Sequence, residues 1–140
     1  MAKSTENSPE KKPLEARIEK ACRGLTYMSE TDSPVEAFHA GKADRLSREA
    51  IVKAIGADPA TPVAEANADE FFSRLTKVNG WYAAGQIKNT ERFAKLWRLL
   101  RSELTDLHVY RVGRIRIEIF VVGLDPERNI FGIKTIAVET

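Results

Sequence analysis

A chain of 140 residues has room for one ordinary domain and, at that size, needs neither disulfides nor a metal to hold a core. Its composition, 43% hydrophobic and 30% charged, is that of a globular protein. The formal net charge of +2 falls short of the basic footprint of a nucleic-acid-binding domain, and the single cysteine excludes an internal disulfide. No apolar run approaches the roughly 18 residues of a membrane span.

Residues 1–13 are Ser, Glu, Asn, Pro and Lys with almost nothing apolar, so burial cannot offset the entropy of ordering them. They are expected to form a disordered tail ahead of one domain, 14–140. The tail lacks the apolar stretch of a secretory signal, and a cytoplasmic location is expected. Leu14, Ile18, Cys22 and Leu25 recur at helical spacing and predict a first helix ending near Gly24. Tyr27 to Pro34 is polar and turn-forming and belongs on the surface. Val35 to Ala40 alternates weakly, as a short strand does. Ser47 caps a second helix whose apolar face is Ile51, Val52 and Ile55 and which Gly56 stops. Val63 to Ala66 reads as another short strand.

Asp69 is expected to cap a short helix with Phe71, Phe72 and Leu75 on one face. Val78 to Tyr82 reads as a turn carrying two large aromatics. Asn89 or Thr90 is expected to cap a long helix with a stripe of Phe93, Leu96, Trp97, Leu100 and Leu104. The last third changes period and predicts three strands, Val109–Val112, Ile115–Val122 and Ile130–Val138. The last of them is apolar on both faces, which requires cover on both faces. The predicted fold is therefore α/β, a three-layer α/β/α sandwich with a mixed, largely antiparallel sheet.

Little in the chain speaks for catalysis. His39 and His108 have no Cys, His or carboxylate at metal-ligand spacing, and no cofactor is implied. A nucleophile elbow, a phosphate loop and a dinucleotide turn are all missing. Cys22 lies on an apolar stripe and reads as a buried thiol. The acids Glu65, Asp69 and Glu70 read as solvated or capping. Lys88, Arg92, Lys95, Arg98 and Arg101 gather along the long helix, and Arg111, Arg114 and Arg116 on a hairpin. With Trp97 on the core stripe and the charge nearly balanced, these read as solvated faces, and nucleic acid is not the expected partner.

The residues left over are Ser29-Glu30, Gly80-Trp81-Tyr82 and the chain end. With Gly24 to Glu30, Phe71 to Arg74, Val109 to Gly113 and Gly132 to Thr135 leading to Val138-Glu139-Thr140, they resemble the nuclease A inhibitor family over nearly the whole domain. The resemblance implies an α/β/α sandwich of the pathogenesis-related-protein kind. It implies a monomeric, non-enzymatic inhibitor of a sugar-non-specific nuclease. By the same resemblance Thr140 meets the nuclease's catalytic divalent metal, Glu30 pairs with an active-site arginine, and Trp81 and Glu139 join the interface. Two features depart from the pattern. Gly80 to Gln86 carries no acid, and the net charge is slightly positive, where a basic partner would favour a negative one. The alternatives are an interaction module of the same fold with a non-nuclease partner, or a weakly basic nucleic-acid-binding domain.

Overall fold

The computed structural model describes residues 13–78 and 80–140, so the expected tail lies outside the described residues except for Pro13. Pro13 is helical. It opens α1 (Pro13–Cys22), where its missing N–H costs the helix nothing. Next come β1 (Thr26–Met28), β2 (Asp32–Pro34) and β3 (Glu36–Lys42), then α2 (Arg48–Ile55), β4 (Val63–Ala66) and α3 (Ala68–Leu75). The chain continues through α4 (Ala84–Glu103), β5 (Thr105–Val112), β6 (Arg116–Leu124) and β7 (Asn129–Val138).

β1 and β2 form a small hairpin, and the other strands make one five-stranded sheet in the order β3-β7-β6-β5-β4. Every pairing in it is antiparallel, so the mixed sheet expected from the sequence is corrected. For two of the four pairings the reason is local: tight turns join β5 to β6 and β6 to β7, and such turns reverse the chain. The second turn is built by Asp125. Its Oδ1 accepts from the N–H groups of Glu127 and Asn129 at 2.9 and 2.8 Å, and its Oδ2 from the Asn129 amide at 2.9 Å.

Alternation along the strands divides the core in two. Val109, Ile119, Val121 and Ile133 face one cluster together with Ile18 of α1, Phe71 and Phe72 of α3 and Phe93, Leu96 and Leu100 of α4. Tyr110, Phe120, Val122 and Ile130 face the other, with Ile51 and Val52 of α2. β7 is buried on both faces from Asn129 to Ile133, as its apolar residues there require, and opens to solvent at Lys134. It passes so close to β6 that a Cβ on Gly132 would lie 1.9 Å from the Val121 carbonyl oxygen.

Two caps differ from expectation. The N-cap of α3 is Asn67, whose side chain accepts from the Glu70 N–H, while Asp69 sits in the first turn where its charge suits the dipole. α4 begins five residues before Asn89, capped by Ala83, whose N–H donates to Gln86 Oε1 at 2.8 Å. Asn89 and Thr90 are therefore interior residues. Asn89 bridges to β1, and Thr90 donates its hydroxyl to the Gln86 carbonyl at 2.9 Å.

Candidate functional site

The β1–β2 hairpin is too short and too polar to stand alone. It is fastened to the domain at three points. Asn89 of α4 accepts from the Thr26 N–H at 3.2 Å and donates to its carbonyl at 3.0 Å. Tyr27 stacks on Phe71, and Thr135 of β7 donates its hydroxyl to the Pro34 carbonyl at 3.0 Å. This fixes the turn Ser29-Glu30-Thr31 beside the end of β7.

The last three residues are held there from two sides. Val138 donates its N–H to Ser29 Oγ at 3.0 Å, while the same hydroxyl donates to the Thr31 carbonyl at 3.0 Å. Glu139 turns the other way. Its N–H donates to the Ile115 carbonyl at 2.9 Å in the β5–β6 turn, and its carboxylate pairs with Arg111. Thr140 turns back again, donating its N–H to Glu30 Oε2 at 2.7 Å and its hydroxyl to Glu30 Oε1 at 2.9 Å. The alternation of a strand thus continues past the sheet, with a turn on each side in place of a neighbouring strand.

Glu30, Glu139 and Thr140 are exposed. The Thr140 N–H, and after it the Thr140 hydroxyl, hold the Glu30 carboxyl below its ordinary pKa, against a small opposing effect of desolvation. An ionised carboxylate has about four lone-pair positions, and Thr140 takes roughly two of them. The remainder stays open to a second donor.

Residues 12–140 match the model of the nuclease A inhibitor-like proteins. The chain belongs to that family. No curated protein matches it. The match extends over both turns and the strand end, so the site lies wholly within the inhibitor-like domain.

Of the four residues that the family resemblance singles out, the structure brings three together: Glu30, Glu139 and Thr140. Trp81 stands apart in the loop before α4. It is 80% exposed, and its ring neighbour is Tyr82, edge-on at 6.2 Å. No hydrogen bond or ring contact among the described residues joins it to Glu30 or Thr140. Ser29, Arg111 and Asn89 hold the site, yet sequence reasoning gave them no role in it. Asn89 looked like a cap and Arg111 like one charge in a basic cluster. Only the adjacency of Ser29 to Glu30 hinted at its part.

Other reactive groups are accounted for structurally. Cys22 is 3% exposed, and burial pushes its thiol pKa up to about 12, partly offset by Arg92. His108 is flanked by Glu65 at 2.5 Å and Asp106 at 2.7 Å, while the Glu65 side chain stays about half exposed to solvent. His39 stacks on Phe131. No group of three or more metal-ligating side chains occurs among the described residues, and no helix there is long and apolar enough to cross a membrane.

Proposed function

We propose that this chain inhibits a sugar-non-specific, metal-dependent endonuclease by filling its active site with Thr140 and Glu30. One observation carries the reading: residues 110 positions apart meet at an exposed point, with the Glu30 carboxylate holding both the N–H and the hydroxyl of Thr140. Hard divalent cations take oxygen ligands. In this reading Thr140 offers the partner's metal oxygen ligands that are already ordered and have little entropy left to lose. The open positions of Glu30 accept an arginine of the partner as a phosphate would. Trp81 supplies an apolar anchor and Glu139 a charged flank. The inhibitor acts as a cytoplasmic monomer and needs no cofactor of its own. The two core clusters support the three-layer α/β/α arrangement of the pathogenesis-related-protein kind.

A second reading is a non-nuclease protein partner. It is favoured by the acid-free stretch around Trp81 and by the positive net charge. Titration of the chain into a magnesium-dependent non-specific endonuclease tests both. Inhibition is expected, an extension beyond Thr140 is expected to abolish it, and Glu30→Ala to weaken it roughly 30-fold or more, as loss of one partner of a desolvated charge pair does. Full inhibition by the extended chain overturns the mechanism. Absence of inhibition, with a non-nuclease protein co-purifying from the host, favours the second reading.

A further inference from the structure

The balanced charge of the whole chain conceals an uneven distribution. Where α1 packs on α4, a groove of about 640 Å³ is lined by Arg17, Lys20, Lys88, Arg92 and Lys95, with Glu91 as its one carboxylate. The lining holds five cations against one carboxylate, and with Arg17 paired to Glu103 the local excess is +3, still above the +2 of the entire chain. Its remaining lining is Ala21 and Leu99, so no aromatic ring is presented for stacking.

Two of the cations are fixed in place. Arg92 donates to the Ala21 carbonyl at 3.3 Å and to the Arg23 carbonyl, which secures the end of α1 without neutralising its charge. Arg17 meets Glu103 at 3.3 Å at the far end. Lys20, Lys88 and Lys95 are exposed and form no ion pair within 4 Å among the described residues. Lys88, Arg92 and Lys95 follow one another at i, i+4 and i+7, a single helix face roughly 10 Å long.

We infer that this groove binds the phosphodiester backbone of a nucleic acid, without preference for sequence. A row of unpaired ammonium groups with two anchored guanidinium groups suits a linear run of phosphates, at whose expense condensed counterions are released. With no aromatic ring for stacking and no Asn or Gln in the lining, the groove offers mainly charge, which directs the contact to the backbone. The groove is formed by α1 and α4 and contains no residue of the Glu30–Thr140 site. An inhibitor with such a groove stays where a nuclease meets its substrate.

Fluorescence anisotropy with the full chain, a labelled mixed-sequence 20-nucleotide single strand and no nuclease tests the inference. With three unpaired lysines engaged, the logarithm of the affinity is expected to fall against the logarithm of the salt concentration with a slope of roughly −2. Lys88→Gln with Lys95→Gln, which keep the helix, should reduce that slope by about 1.4 and weaken binding at low salt. Arg114→Gln with Arg116→Gln, on the distant hairpin, should change neither. No binding at 50 mM salt overturns the inference. So does a loss caused by the hairpin pair and not by the lysine pair. Binding to phosphatidylserine vesicles in place of the oligonucleotide also overturns it. Because no nuclease is present, the result is independent of whether the chain inhibits one.

Discussion

Ser29→Ala is the substitution that separates the fixing of the chain end from the chemistry at its tip. It removes one hydroxyl that accepts from the Val138 N–H at 3.0 Å and donates to the Thr31 carbonyl at 3.0 Å. Each such bond contributes about 0.5–1.5 kcal/mol net. The site is only partly buried, so water replaces some of what is lost. The expected local cost is therefore about 1–2 kcal/mol. Part of that energy orders Thr140 before any partner arrives. Once it is lost, binding must supply it, and on the proposed reading inhibition should weaken by at most about 5- to 30-fold, since 1.4 kcal/mol is a factor of ten. Two measurements are needed together: the inhibition constant against the target nuclease and hydrogen exchange at the Val138 amide. Faster exchange with unchanged inhibition would refute the idea that the order of the strand end matters. Equal falls in inhibition for Ser29→Ala and for a core variant of the same global stability would refute it too.

Gly132→Ala should be far more damaging than its size suggests, because the new Cβ would sit 1.9 Å from the Val121 carbonyl oxygen and only backbone movement can relieve that. A loss of about 3 kcal/mol or more is expected in urea unfolding, and near-native stability would contradict the close approach of β6 and β7. Tyr110→Phe should leave stability unchanged or raise it by about 1 kcal/mol, because the Tyr110 hydroxyl is buried with no hydrogen-bond partner among the described residues. A clear destabilisation would reveal a partner for that hydroxyl. The Glu30–Thr140 contact has a definite pH dependence. The Glu30 pKa is lowered by folding, so the contact is fully present above the unfolded value and fades as pH falls through the folded one. The Thr140 amide resonance should report a midpoint below that of glutamate in an unstructured peptide. A midpoint at or above that value would argue against the hydrogen bonds.

The core was legible because periodicity is a local signal. Phe93, Leu96 and Leu100 announce the inner face of α4, and the two-faced burial of β7 follows from Phe131 and Ile133 beside Ile130. What escaped was whatever depends on a distant partner. Asn89 has the chemistry of a cap, but its amide is used across 63 positions to hold Thr26, and an alanine begins the helix instead. β1 and β2 are three residues each, too short to show alternation. Net charge averages over every face, so it could not show five cations collected by two helices. For the site, Glu30 and Thr140 could be singled out by family resemblance, but no spacing rule brings them within 2.7 Å of each other.

The position of β7 in the sheet also governs when the sheet can close. β3 and β6 each pair with β7, so residues 36–42 wait for a partner that lies about a hundred positions later. Such distant pairing makes for slow closure of the sheet. Without β7 the sheet is in two pieces, β3 on one side and β6-β5-β4 on the other. The act that completes the core is the same act that delivers Thr140 to Glu30.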